Sequence, residues 1–544
     1  MRSYSIATTS RIALALLVLA VLLGLLLPVY SDEVAWRATA RAAIDGVDRP
    51  LFANCGPNTL AVPPAFILAV RTVSAAVNLA LADPIYVRLA GVFWALAWLG
   101  LLVLLIRIIA RSAHERATLT LVATALLSLG TLPLLLVLSR PEQPVLLALT
   151  TSILIVIVQH RGEHRPSVRR SAAAALGIVL LAALALAYHL KGVAYLPVFI
   201  ACALLSSQGR VGRIARWGSA AALVVLGAVA ARYWIDRFQC PNDAMIAKML
   251  AAYSLAAGTL DADVLLRQAA AAINPLNYVG LIVPTAESEA NWLPPVPLSR
   301  LAELFLAIAI LCAWGAGIAL AAACLFRSVT SQRGEAFSMR LVALGVTIIA
   351  VLAVWSFTQL VRNFYEAALF LPMLVITMML LMRSANLSEH HLRRIGRAAT
   401  ATAALALFSQ ITVAAIYLPS LWGSARQAGY IAAQPMSTSA FGFATLEKQI
   451  IRTGKMCGID PARRLNALMI DDLTYLTYMR SYRPLHHQAV VSVWNGEIGD
   501  SLTYLKQQKS SGAVLACKYL SPSMRARAKQ SGDFCCLGLA DLEQ

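Results

Sequence analysis

The sequence predicts an all-α polytopic membrane bundle of about eleven transmembrane helices, followed by a small C-terminal soluble α/β domain. Three observations carry that expectation. Of 544 residues, 59% are hydrophobic and only 13% charged, whereas water-soluble domains carry roughly 25% charged residues. Apolar stretches of about 20 residues, the length that crosses a bilayer core, recur from the N-terminus to about residue 420. Lys and Arg gather in short loops at 107–116, 161–170, 210–216, 327–340 and 383–397, alternating with loops poorer in both. That is the positive-inside distribution.

The net charge of +19 could suggest a nucleic-acid partner, but such a binder concentrates its basic residues on one face of a folded domain. Here they sit between apolar runs, so the partner they point to is the lipid bilayer, and no nucleic acid is expected.

Taken in order, Arg2 and Arg11 mark a cytoplasmic N-terminus and the first helix covers 12–29. Its apolar run is longer than that of a signal peptide, and Leu-Leu-Pro-Val-Tyr lacks a small-x-small cleavage site, so it is expected to stay as an anchor. Further spans fall at 85–106, 117–138, 143–159, 172–188, 193–207, 215–235, 301–326, 340–360, 366–382 and 399–418. An odd number of crossings puts the C-terminal domain outside, in the periplasm if the membrane is a bacterial inner (cytoplasmic) membrane. The domains are then 1–420, with long outer loops at 31–83 and 238–299, and 421–544.

Cysteine placement agrees with this topology. Cys202, Cys312 and Cys324 fall within spans, while Cys55, Cys240, Cys457, Cys517, Cys535 and Cys536 all fall outside, where disulfides persist. Cys55 with Cys240, and pairs among the C-terminal four, are the natural partners; buried free thiols are the alternative.

In the first long loop, Ser31 caps an amphipathic helix over 32–44 and Asp45-Gly46 stops it. The apolar segment 64–82, interrupted by Arg71, is expected to lie along the interface. Beyond residue 421, strands are expected at 465–470, 489–494 and 512–517, with helical stretches near 502–508 and 523–530.

Four outer-facing elements carry candidate chemistry. Asp32 and Glu33 leave the first helix at the surface, where a carboxylate could serve as general base for an acceptor hydroxyl. Both would equally suit the first turn of a helix. Ser139-Arg140-Pro141-Glu142 forms a very short turn between two spans, where ionisable residues point to function, although Pro141 and Glu142 also suit a helix start. His189-Leu190-Lys191, and Arg362 to Glu366 with Tyr365, place cations that could hold a phosphate; snorkelling towards headgroups is the plain alternative. There is no phosphate loop, no H-E-x-x-H and no zinc-like cluster, and His390-His391 and His486-His487 are weak metal candidates.

With Tyr30-Ser31-Asp32-Glu33 after the first helix and Arg140-Pro141-Glu142 at a later outer turn, the membrane part resembles the polyprenyl-phosphate-sugar-dependent membrane glycosyltransferases of the C-type superfold (GT-C). The resemblance covers about residues 1–420 and its motifs are short. It implies transfer of a sugar from a polyprenyl-phosphate-linked donor to a hydroxyl of a glycan, lipid or protein acceptor, with inversion. Asp32 would be the base, with Glu33 its neighbour or substitute. Glu142 would position the acceptor or a metal, and Arg140, Lys191 and Arg362 would neutralise the departing lipid phosphate, with His189 and Tyr365 alongside. Because the second element is Arg-Pro-Glu and not an Asp-x-Asp-like pair, the sequence assigns no metal ligand and leaves a divalent ion open. A secondary transporter or lipid-linked flippase would need charges deep in the spans and broken helices. A polysaccharide polymerase or ligase would rely on Arg and His in a large late outer loop, and 238–299 has Arg267 and Lys248 but no His.

Overall fold

The computed structural model describes residues 2–29, 33, 73, 76–77, 80–81, 83–160, 167–189, 191–206, 209–238, 299–330, 336–358, 367–419, 422–423, 429–431, 437–439, 442–463, 467–486, 510–520, 522–538 and 540–541. Every structural statement below concerns these residues. Most of both long loops, with Cys55, Cys240, Asp32, Arg362 and Tyr365, lies outside them, as do the expected strand at 489–494 and the helical stretch at 502–508.

The apolar runs become helices because a chain in hydrocarbon must satisfy its backbone polar groups internally. In chain order they are α1 (Arg2–Leu23, extended by a 3-10 turn Gly24–Leu26), α2 (Pro84–Ile109), α3 (Ala113–Leu127), α4 (Leu132–Leu135), α5 (Glu142–His160) and α6 (Val168–Tyr188). Then follow α7 (Lys191–Ala194), α8 (Leu196–Leu205), α9 (Gly209–Phe238), α10 (Arg300–Thr330), α11 (Ala336–Thr358), α12 (Ala367–Ser384) and α13 (Glu389–Thr412), the last continued by a π-helical turn Val413–Tyr417. Nine helices among the described residues are long and apolar enough to cross a membrane. The third and sixth expected spans are shorter: α3 with 15 residues and α8 with 10.

The third span departs from a single helix over 117–138. The helix stops at Leu127 and the chain turns through Gly130, whose φ of +58° suits a residue without a side chain. It then runs through α4 to Leu138 wholly inside the bundle. Backbone groups released by such a break must find partners. Gln410 Nε2 donates to the Ser128 carbonyl at 2.7 Å and the Gly130 carbonyl at 2.6 Å, while the Gly130 N–H donates to Ser409 Oγ at 3.1 Å.

The bundle has two chemically different ends. At one, Arg111 donates to Asn386 Oδ1 and Arg383 Nε donates to the Ile109 carbonyl at 2.7 Å, so arginines close the C-termini of α2 and α12, where cations suit the helix dipole. At the other lie the end of α1, the starts of α2 and α5, and the α6–α7 turn.

The C-terminal domain meets that second end at Val29 and Val87. Strands β1 (Tyr430–Ile431) and β2 (Ser437–Thr438) pair antiparallel. After α14 (Phe443–Met456) come β3 (Ala467–Ile470), α15 (Tyr475–Tyr478), β4 (Arg483–His486), β5 (Gly512–Ala516), α16 (Pro522–Arg527), β6 (Lys529–Ser531) and β7 (Phe534–Gly538). The sheet order is β4-β3-β5-β7-β6, with β3 parallel to β4 and β5, and β7 antiparallel to β5 and β6. Strands at 465–470 and 512–517 thus appear nearly where expected. The stretch 523–530 ends as a helix at Arg527 and turns into β6, because Gly532 and Asp533 form a hairpin turn into β7.

Successive side chains on a strand face opposite ways, so adjacent Cys535 and Cys536 point to different faces and need different partners. Cys535 bonds Cys517 and Cys536 bonds Cys457. The domain is also joined to the bundle. The Val29 N–H donates to the Thr438 carbonyl at 2.8 Å, and Val29 and Val87 belong to the same buried cluster as Tyr430, Phe443, Leu446 and Leu468.

Candidate functional site

The candidate site lies at the bundle end beneath the C-terminal domain, and its geometry starts from a close approach of two backbones. Gly91, two turns into α2, faces the 134–138 segment so closely that a Cβ there would lie 1.8 Å from the Val137 carbonyl oxygen. Only glycine permits that contact. Gln143 Nε2 fastens it, donating to the Gly91 carbonyl at 3.1 Å and also to the Leu136 carbonyl.

One turn nearer the start of α2, Arg88 is fully buried. Its Nη1 donates to the Val137 carbonyl at 3.2 Å and its Nη2 pairs with Glu33 Oε2. The other Glu33 oxygen accepts the Ser139 N–H at 2.5 Å. Glu33, expected as a base or its substitute, is therefore sealed in an ion pair, with 0% of its surface exposed.

Beyond Ser139 the chain turns into α5 and brings three expected residues together. Arg140 Nε lies 3.2 Å from Glu142 Oε2 and Arg140 Nη2 3.5 Å from Glu142 Oε1, while Lys191 Nζ reaches Glu142 Oε1 from the α6–α7 turn. Glu142 also sits in the first turn of α5, where the helix dipole favours a carboxylate. All three side chains are buried. Among the described residues, one carboxylate is thus held by two cations.

The α6–α7 turn is shaped by local contacts. The His189 N–H caps α6 on the Ala185 carbonyl at 3.2 Å, and the Gly192 N–H returns to the His189 carbonyl at 2.9 Å. His189 Nδ1 accepts the Lys191 N–H at 3.0 Å, which places the ring proton on Nε2. Burial, then the neighbouring Lys191 charge, pushes the His189 imidazole down to about 3, so at neutral pH it is an uncharged Nε2–H donor. Lys191 Nζ also lies 5.9 Å from the centre of the Trp355 ring on α11, within cation–π range.

Arg140, Glu142, His189 and Lys191 are thus gathered, as expected from their shared end of the bundle. Arg88, Gly91, Gln143 and Trp355 were not anticipated. Arg88 had a legible signal, an ionisable residue inside an apolar span; the glycine and glutamine had none. Among the described residues no group of three or more His, Cys, Asp or Glu could hold a metal ion. Both Glu142 oxygens face cations.

No family model and no curated protein matches the chain. Among solved structures it is similar to the crystal structure of ArnT from Cupriavidus metallidurans bound to undecaprenyl phosphate, with 14% identity, 100% of this chain and 99% of that one covered, and a TM-score of 0.48. It is also similar to the archaeal oligosaccharyltransferase AglB from Archaeoglobus fulgidus, in complex with an inhibitory peptide and a dolichol-phosphate, with 13% identity, 93% and 69% covered, and a TM-score of 0.41. The fold and the site define a multi-pass helical membrane protein with a charged cluster at one bundle end under a disulfide-bonded α/β domain.

Proposed function

We propose that the chain is a membrane glycosyltransferase that moves a sugar from a polyprenyl phosphate to an acceptor hydroxyl at the bundle end carrying Glu142, facing the periplasm from a bacterial inner membrane. The observation that carries this proposal is the buried Arg140–Glu142–Lys191 cluster, which brings a guanidinium and an ammonium, both phosphate-binding groups, together at one end of the bundle. The sequence resemblance supplies the reaction. Asp32 takes the acceptor's hydroxyl proton, the acceptor oxygen bonds to the anomeric carbon with inversion, and the bond from that carbon to the phosphate oxygen breaks. The electron pair leaves with the lipid phosphate, whose growing charge Arg140, Lys191 and Arg362 offset, with the His189 Nε2–H and Tyr365 as further donors. Such a site works by positioning and by charge stabilisation at the leaving group. Glu33, closed off by Arg88, holds the chain beside Asp32 and does not itself act as base.

The break in the third span favours a transporter. Against that, Gln410 and Ser409 already satisfy groups released at the break, and the charged groups described here gather at helix ends.

The test is sugar transfer by purified protein in proteoliposomes supplied with a panel of undecaprenyl-phosphate sugars, comparing wild type with Asp32→Asn and Lys191→Gln. Donor-dependent transfer that Asp32→Asn abolishes and Lys191→Gln weakens is the expected result. No transfer from any donor would refute the proposal, and full activity in Asp32→Asn would remove Asp32 from it.

A further inference from the structure

Arg88 offers more than an ion pair. A buried salt bridge is weak grounds for stability, because apolar residues of similar volume often serve as well. Arg88 even leaves its Nε buried without a hydrogen-bond partner. What the guanidinium does is join α2 to two other stretches of chain, at Glu33 and at 137–139. It holds Glu33, beyond the end of α1, and the Val137 carbonyl, at the end of the broken third span. Through the second Glu33 oxygen it also fixes the Ser139 N–H, one residue before Arg140. Both sides of the lock are anchored next door in the C-terminal domain's core. Val87 adjoins Arg88, and Val29, four residues before Glu33, bridges Thr438. Arg480 Nη2 adds a contact at 3.2 Å to the Ala80 carbonyl, just ahead of α2.

We infer that Arg88 is a positioning residue: with Glu33 it locks the chain beside Asp32 to the Ser139–Arg140–Pro141–Glu142 turn, and the C-terminal domain holds both halves of that lock in place. The functional part of this inference rests on the transferase proposal; the lock itself does not. The role of Arg88 is to fix where Glu33, the residue next to Asp32 in sequence, stands against the turn that carries Arg140 and Glu142.

The experiment uses the full chain in nanodiscs, as wild type, Arg88→Lys, Arg88→Met, Glu33→Gln and the double variant Glu33→Gln/Arg88→Met. Amide hydrogen exchange at Ser139 and kcat and KM for an undecaprenyl-phosphate sugar are measured together. In Arg88→Met, Ser139 should exchange at least about ten-fold faster while α5 keeps its protection. The same variant should lose about 100-fold in kcat with donor KM changed by less than about three-fold. Arg88→Lys should recover part of both losses, and the double variant should be no worse than Arg88→Met. Unchanged Ser139 exchange in Arg88→Met overturns the inference. So does a rise in donor KM at constant kcat, which would put Arg88 against the donor, or equally faster exchange throughout the bundle in every variant, the double included. If wild type transfers no sugar, the transferase proposal fails alone, and Ser139 exchange still decides whether the lock exists.

Discussion

The Gly91→Ala substitution probes the backbone contact on which the site is built. The added Cβ would lie 1.8 Å from the Val137 oxygen, and real Cβ atoms essentially never come within 3.0 Å of another atom. The two backbones must therefore part by at least 3.0 − 1.8 = 1.2 Å. The obstacle is main chain on both sides, so no side-chain rotation relieves it. The Arg88–Val137 hydrogen bond at 3.2 Å and the Gln143–Gly91 bond at 3.1 Å stretch or break. Overpacking of this kind costs about 1–3 kcal/mol, partly offset by the roughly 1 kcal/mol that alanine gains over glycine in a helix. Misplacement of catalytic groups by about 1 Å costs on the order of 100-fold in rate, so transfer should fall far more than stability. Gly100, in the same helix, is exposed with nothing within 4 Å of its missing Cβ, and Gly100→Ala is the matched control. The assay pairs donor-dependent transfer with thermal unfolding of both variants in nanodiscs. Equal activity in Gly91→Ala and Gly100→Ala would refute the argument that the close approach sets the site.

Other outcomes follow from the C-terminal domain and the charged cluster. Reducing Cys457–Cys536 and Cys517–Cys535, which close loops of 79 and 18 residues, should destabilise the domain by about 2–5 kcal/mol per bridge, read as loss of a separate thermal transition after treatment with a reductant. Burial pushes the Tyr430 phenol up to about 12, helped by Asp533, and burial does the same for Tyr482. The folded domain thus holds protons that the unfolded chain loses near pH 10, so stability should be level below about pH 10 and fall as pH rises towards 12. Absorbance titration at the phenolate band should show these two tyrosines ionising late. Asp471 accepts the Leu473 and Thr474 N–H groups at 3.0 and 2.9 Å and the Ala516 N–H at 2.7 Å; Asp471→Asn turns one acceptor into a donor facing a buried N–H and should cost about 1–3 kcal/mol in chemical denaturation. Glu142→Gln leaves Arg140 and Lys191 without their shared carboxylate and should lower the Tm and weaken transfer together, at a cost of about 3–5 kcal/mol for breaking a buried pair.

The helices were legible because hydropathy over a 20-residue window is a local property and the bilayer enforces it. The break after Leu127 was not, since 129–138 reads as one apolar run interrupted only at Gly130, Thr131 and Pro133; the partner that takes up the carbonyls freed there is Gln410, far along the chain. The cluster of Arg140, Glu142, His189 and Lys191 was legible as charged turns on a common end of the bundle. Its sealing partner was not, because Glu33 and Arg88 are 55 residues apart and nothing local to either names the other. In the C-terminal domain, β3 and β5 announced themselves as runs of apolar and β-branched residues. Helix α14 carried an amphipathic signal in Phe443, Leu446 and Ile450, all on its buried face, that the sequence reading passed over. Strand β7 was hidden by reading helix through residue 530, although Gly532-Asp533 before Phe534 is a hairpin signature.

The hydrogen bond from Val29 to Thr438 spans 438 − 29 = 409 residues of the 544-residue sequence. Helix α1 therefore waits for a segment made about 400 residues later before its far end acquires its partner, and contacts of such sequence separation form late. Order at that end of the bundle is thereby tied to synthesis of the C-terminal domain: a polypeptide truncated before Thr438 can insert its helices, yet Val29 lacks its strand partner and the Val29–Val87 cluster lacks its other half.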